Sequence, residues 1–255
     1  MCIRDSFSLP LAYYDSTLEV AEVKSKPYID VTLHVLGESG VEVRRTGDTF
    51  YVRSQQSFRL RRFEVPADFS SASYLIAAGL LAGRVELRGV FDSRQGDKRI
   101  VDVCREMGGN VVWKKDDGVL IAERSELHGI EVDASDIPDL VPTIAVLAAT
   151  AEGVTRIYNA EHLRVKEIDR IEGITRNLRA LGVEVEAKKD GLIVRGGKRS
   201  FRGVVNSFGD HRMALAFSLL GLLGEVRCRN AEVVSVSYPA FFDVLAKLGA
   251  AIEIE

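Results

Sequence analysis

Internal repetition constrains this chain more than any other feature. The segments KEIDRIEGITRNLRALGVEVEAKKDGLIVRG, GDKRIVDVCREMGGNVVWKKDDGVLIAE and PYIDVTLHVLGESGVEVRRTGDTFYVRS share one order. Each reads as an amphipathic helix, a glycine stop, a strand, a turn and a second strand; the terminal YPAFFDVLAKLGAAIEIE reads as the first three of these. Ile100, Val103, Cys104 and Met107 fall on one side of their helix, away from Lys98, Asp102 and Arg105. Gly40, Gly108, Gly182 and Gly249 sit where a left-handed C-terminal cap is wanted. Val183 and Val185 alternate with Glu184 and Glu186, as in a half-buried strand. Asp117–Gly118 and Asp190–Gly191 read as hairpin turns.

A second kind of helix precedes three of these segments: SSASYLIAAGLLAG, PTIAVLAATAEG and HRMALAFSLLGLLG. Each is apolar nearly all round, so it belongs in an interior. A short strand follows each, as in RVELRGV and TRIYNA. The unit is therefore buried helix, strand, amphipathic helix, strand, strand, with a period of roughly 70 residues. Three units occupy Pro66 to Glu255, and a partial fourth fills the front, where FSLPLAYYDSTLEV reads as the end of a buried helix and its strand. This pattern predicts a pseudo-threefold α/β domain with three buried helices inside and sheets outside. The polar, basic SQQSFRLRRFEVPADF places a domain boundary at Pro66, giving a partial lobe over 1–65 and a second over 66–255.

Composition excludes several function classes. A net charge of −3 argues against a general nucleic-acid binder. No apolar run approaches the roughly 18 residues of a membrane span, and the start MCIRDSFSLPLAYY, with its short apolar segment broken by Pro10 and polar residues, does not read as a convincing signal peptide. Cys2, Cys104 and Cys228 form neither a metal-ligand spacing nor a disulfide framework, which points to a reducing cytoplasm and no metal site.

The polar residues cluster just before the buried helices, in VPADFSS, ASDIPDLVP and SFGDHRM. If the helices are parallel, their N-termini share one face. Each end carries roughly half a positive charge and unpaired N–H groups, so that face suits anions. Asp68, Asp136 and Asp210 read as N-caps. Arg212 lies just inside its helix, on the unfavourable end of the dipole; a bound anion explains it better than capping does. In EHLRVKEIDR, Lys166 and Arg170 are four apart, expected on one helical face, and Glu167 pairs with Arg170 at i,i+3.

Together HLRVKEIDRI, FGDHRMALAF, DFSSASYLIAAG, KSKPYIDVTL and VSYPAFF resemble the 3-phosphoshikimate 1-carboxyvinyltransferase (EPSP synthase) family, from about Phe7 to the end. The resemblance implies the enolpyruvyl transferase fold, an inside-out α/β barrel of repeated βαβαββ units. It implies transfer of the enolpyruvyl group of phosphoenolpyruvate to the 5-hydroxyl of shikimate 3-phosphate, with release of phosphate and without a cofactor or metal. By the resemblance, Asp139 accepts the proton of the 5-hydroxyl and Glu167 donates one to C3. Lys166 and Ser25 contact the shikimate phosphate, Tyr28 lies near the same ring, and Arg170 and Arg212 hold phosphoenolpyruvate. His162 stands where other members carry Asn and could hydrogen-bond a substrate. Family members are expected to be monomeric at full length, with these two anions as partners and no nucleic acid or membrane.

Two further departures bear on the expectation. Val236 stands where other members place a phosphoenolpyruvate-binding lysine. The family's front segment has no counterpart, so the chain reads as truncated and as holding half an active site, with little turnover alone. The alternatives are a transferase acting on UDP-N-acetylglucosamine, an RNA 3′-phosphate cyclase-like protein with His211 as nucleophile, and an inactive anion-binding remnant.

Overall fold

A computed structural model describes residues 3–21 and 24–254. The chain divides into two compact units, Met1–Pro66 with Ser93–Gly96, and Ala67–Asp92 with Asp97–Glu255. Cys2 and the last residue, Glu255, lie outside the described residues.

The smaller unit runs α1 (Ile3–Ser8), β1 (Ser16–Glu19), α2 (Lys26–Glu38), β2 (Val43–Thr46) and β3 (Thr49–Val52). Its sheet is antiparallel in the order β1-β3-β2. Ile29 of α2 and Phe50 of β3 form its small core.

The larger unit begins with α3 (Phe69–Ala82), β4 (Arg84–Arg88), α4 (Ile100–Glu106), β5 (Asn110–Lys114) and β6 (Val119–Glu123). It continues with β7 (Glu131–Asp133), α5 (Val141–Thr150), β8 (Val154–Tyr158), α6 (Arg170–Ala180), β9 (Glu184–Lys188) and β10 (Gly191–Arg195). The last stretch is β11 (Phe201–Asn206), α7 (His211–Ser218), β12 (Gly224–Arg229) and α8 (Phe241–Lys247). The sheets have the orders β4-β6-β5, β7-β8-β10-β9 and β11-β12.

The middle stretch is a full βαβαββ unit. It contains a strand that the sequence pattern does not reveal. β7 pairs parallel with β8, and β11 pairs parallel with β12. Parallel neighbours need a crossover, and the buried helices α5 and α7 supply it. β7 is three residues long with one side chain inward, too short to show an alternation.

Burial follows the two helix classes. Every residue of α5 is buried, and α3 is buried from Phe69 to Leu81 except Ser71. α6 is one-sided, burying Ile171, Ile174 and Leu178. Strands of the outer sheets alternate buried and exposed positions, as in β8 and β9. Helices therefore lie inside and sheets outside.

Four local expectations are corrected. The third apolar segment is not one helix: α7 ends at Ser218 and tightens into a 3-10 turn over Leu219–Leu223. A Cβ on Gly224 would sit 2.0 Å from the Phe201 carbonyl oxygen, so the backbones approach closely there. Gly191 is likewise a close-approach glycine rather than a turn glycine. A Cβ there would meet the Ile157 oxygen at 1.9 Å, and the turn itself is Lys189–Asp190, closed by the Gly191–Lys188 pair. The segment AAIEIE forms no strand over residues 250–254, because it meets no neighbouring ladder among the described residues. The fourth concerns Lys166 and Arg170: residues 166–168 form a bend, Asp169 caps the helix, and α6 starts only at Arg170. The four glycines expected as helix stops do take positive φ: Gly40 at 79°, Gly108 at 86°, Gly182 at 74° and Gly249 at 100°.

Candidate active site

The starts of the buried helices lie together. Ser73 of α3 and Thr143 of α5 share a hydrogen bond of 3.0 Å between buried hydroxyls. Asp139, in the 3-10 turn Pro138–Leu140 that leads into α5, reaches Arg212 of α7. Two of the ends are capped by aspartate. Asp68 accepts from the amides of Ser70 and Ser71 at 3.0 and 3.1 Å. Asp210 accepts from the Arg212 amide at 2.8 Å. Asp136 does not cap: α5 has no side-chain cap, because Pro138 leads its chain in through the 3-10 turn and moves the helix start to Val141. Pro142 at the second helical position also has no N–H to satisfy.

Arg170, the first residue of α6, is the hub. Its side chain is 1% exposed. Nε donates to Asp210 Oδ2 at 2.6 Å, Nη1 to Asp139 Oδ1 at 2.8 Å and Nη2 to Glu167 Oε2 at 2.7 Å. A guanidinium suits this position because its donors point in three in-plane directions. Burial opposes its charge, but Asp210, Asp139 and Glu167 outweigh burial and hold its pKa above the ordinary arginine value.

Asp139 is the acidic counterpart. Arg170 holds one oxygen, Arg212 Nη2 donates to the other at 2.9 Å, and Lys166 Nζ stands 3.7 Å from Oδ1. Burial pushes the Asp139 carboxyl up, yet Arg212, Lys166 and Arg170 together hold it below the usual carboxylate range. It is ionised at neutral pH. The anion expected beside Arg212 is thus, in this structure, a carboxylate of the chain itself.

The structure brings Asp139, Lys166, Glu167, Arg170 and Arg212 together. Glu167 remains half-exposed while one oxygen pairs with Arg170, as the i,i+3 spacing implied. His162 is half-buried on the 3-10 turn Glu161–Val165, on the connection that carries Lys166 and Glu167. Ser25 and Tyr28 belong to the smaller unit. Ser25 precedes α2 with φ 54°, and Tyr28 is half-buried in its first turn. Val236 is exposed at the end of the 3-10 turn Ala231–Val236. Among the described residues no group of His, Cys, Asp or Glu could hold a metal ion, and no helix is long and apolar enough to cross a membrane.

Two neighbours of the cluster are read in the sequence only in other roles, and a third escapes it. Asp210 reads as a cap and is also a buried ligand of Arg170. Tyr74 of α3 reads as core, yet its phenol lies close to Arg212 and Asp139; burial pushes its pKa up to about 12. His211 opens α7 beside the cluster. Burial and then Arg212 lower its pKa against the pull of Asp210 and Glu167, which leaves a neutral imidazole at pH 7. No local signal marks Tyr74; the Asp-His-Arg run marks the other two.

Comparison with known proteins fits this geometry. The family model described as EPSP synthase (3-phosphoshikimate 1-carboxyvinyltransferase) matches residues 7–245. A curated 3-phosphoshikimate 1-carboxyvinyltransferase of Archaeoglobus fulgidus is 72% identical over 246 residues, 96% of this chain and 59% of the relative. Its counterpart in Methanocella arvoryzae is 44% identical over 97% of this chain and 59% of its own length. A solved EPSP synthase from Acinetobacter baumannii superposes with a TM-score of 0.81 at 26% identity, over 97% of this chain and 60% of that one. The chain thus spans about three-fifths of the proteins it matches. With a family match from residue 7 to residue 245, the chain belongs to the EPSP synthase family.

Proposed function

We propose that the chain takes part in moving the enolpyruvyl group of phosphoenolpyruvate to the 5-hydroxyl of shikimate 3-phosphate, a cytoplasmic reaction that releases phosphate. In this reading Arg170 and Arg212 hold phosphoenolpyruvate. Lys166 and Ser25 hold the shikimate phosphate, with Tyr28 and His162 against the rest of the substrate. The 5-hydroxyl oxygen attacks C2 of phosphoenolpyruvate while its proton passes to Asp139. Glu167 gives a proton to C3, forming a tetrahedral adduct. Phosphate then leaves C2, a proton returns from C3 to Glu167, and the double bond re-forms. Positioned proton carriers of this kind are each worth about 10²–10⁴ in rate. The chemistry is acid–base and calls on no cofactor.

One observation carries the reading: in a chain of this family, an ionised carboxylate, Asp139, meets Arg170, Arg212 and Lys166 within hydrogen-bond or ion-pair distance. A carboxylate base among fixed cations suits a reaction whose two substrates are anions. Side-chain NMR titration of the chain with phosphoenolpyruvate and shikimate 3-phosphate tests it. Arg212→Ala should weaken phosphoenolpyruvate binding about tenfold or more, as expected for a lost hydrogen bond to a charged group. UDP-N-acetylglucosamine should not compete with shikimate 3-phosphate. Unchanged affinity in Arg212→Ala, or displacement by the nucleotide sugar, would refute the assignment.

A further inference from the structure

Tyr74 sits in the second turn of α3 and is 1% exposed. Its ring packs edge-on against Phe241 of α8, with centroids 6.1 Å apart. The neighbouring Ser73 is tied both to Ser70 and to Thr143, so this part of α3 is fixed in place. The Tyr74 hydroxyl, by contrast, has no hydrogen-bond partner among the described residues. The Arg212 guanidinium lies near enough to favour the ionised phenol, but no N–H of it meets the hydroxyl in hydrogen-bond geometry, and its Nη2 is directed to Asp139 instead.

A buried hydroxyl left unsatisfied destabilises a fold relative to a satisfied one. Phenylalanine would fill the same space without that penalty. The hydroxyl therefore needs a state of the protein in which it finds a partner. The group beside it that has reason to move is Arg212, which Asp139 holds in this structure.

We propose that Tyr74 is a positioning residue for Arg212: its buried hydroxyl accepts an N–H of the guanidinium when an anion draws Arg212 away from Asp139. With Arg212 on Asp139 the phenol is unsatisfied, and with Arg212 drawn to an anion it is satisfied. Anion binding is favoured by relief of that defect as well as by contact with the anion. This rests on the reading of Arg212 as an anion-binding residue.

Tyr74→Phe tests the proposal, because it removes one oxygen and keeps the ring against Phe241. The chain and its Tyr74→Phe and Arg212→Ala variants are compared by thermal unfolding, without ligand and with phosphoenolpyruvate, and by calorimetric or NMR titration. Two effects of opposite sign are expected. Without ligand, Tyr74→Phe melts at the same temperature as the parent or higher. With ligand, its affinity falls about tenfold, the scale of a hydrogen bond to a charged group. A purely structural role would move both in one direction. Parental affinity in Tyr74→Phe overturns the proposal, and so does a loss of stability without ligand. If Arg212→Ala weakens binding and Tyr74→Phe does not, the site reading survives and this inference fails. If Arg212→Ala also binds normally, or the parent chain shows no response at tens of millimolar phosphoenolpyruvate, the site reading falls and takes the inference with it.

Discussion

Arg170→Met removes one guanidinium and leaves three carboxylates with different fates. Glu167 is 48% exposed and rehydrates at little cost. Asp139, 13% exposed, keeps Arg212 at 2.9 Å and Lys166 at 3.7 Å. Asp210 is 0% exposed, and without Arg170 it retains only the Arg212 amide on its other oxygen among the contacts described here. The penalty therefore concentrates at Asp210. Removing one partner of a buried pair typically costs 3–5 kcal/mol, so we expect a loss of about that size. Arg170→Met/Asp210→Asn should recover part of it, because Asn keeps an oxygen for the cap and carries no charge. A coupling of about 2 kcal/mol or more is expected, since the two residues touch. Urea unfolding followed by fluorescence measures both. The chain has a single tryptophan, Trp113, which lies in β5 of the larger unit, packs against Phe69 and donates to the Val90 oxygen at 2.7 Å. The signal thus reports the unit that holds the cluster. A cost under about 1 kcal/mol for Arg170→Met, or additivity of the pair, would refute the hub.

Other outcomes follow from the same contacts. The folded-state pKa of Asp139 lies below its unfolded value, so its stabilisation is complete above about pH 4 and disappears as pH falls through the depressed value. Acid unfolding followed at Trp113 should show Asp139→Asn less stable than the parent at pH 7, with the gap closing below about pH 4; a constant gap would contradict the assignment. Burial pushes the Cys104 thiol up to about 12, so pulsed alkylation at pH 8 read by mass spectrometry should leave it unlabelled in the native chain and labelled in urea. Gly209 has φ 84° and open space around a would-be Cβ, so Gly209→Ala should cost about 1 kcal/mol. Gly191→Ala should cost more than about 2 kcal/mol because its Cβ would meet the Ile157 oxygen; equal urea midpoints would sink that contrast.

The parts of this fold visible in the sequence are those set by local chemistry. The glycine stops after α2, α4, α6 and α8 are legible because only glycine accepts the left-handed backbone there cheaply. The buried helices are legible because an all-round apolar helix has no other place to go. What escapes depends on distant chain. Asp139 meets residues 31 and 73 positions away, and nothing near it in sequence announces a carboxylate shared by two arginines. The spacing of Lys166 and Arg170 suggests one helical face; in fact Asp169 caps α6 and forces a bend before it, and the two cations converge on Asp139 from different elements. Gly191 looks like half of a hairpin turn, while its need for glycine comes from β8. Tyr74 is indistinguishable from core until Arg212 is placed beside it.

On the proposed reading, the charge balance of the cluster links binding to proton transfer. Lys166, Arg170 and Arg212 face Asp139, Glu167 and Asp210, so the cations are matched by carboxylates of the chain. On the proposed reading a ligand anion would meet no surplus of positive charge; it would compete with Asp139 for the cations that Asp139 holds. Arg170 is the poorest candidate to yield, being buried and bound on three sides. Arg212, 17% exposed, and Lys166, 32% exposed, can turn toward a ligand more readily. When they do, Asp139 loses the two charges that most strongly depress its pKa, while the burial that raises it remains. On the proposed reading the base is therefore weak in the empty site and strengthens as the anions arrive, when a hydroxyl proton is there to be taken.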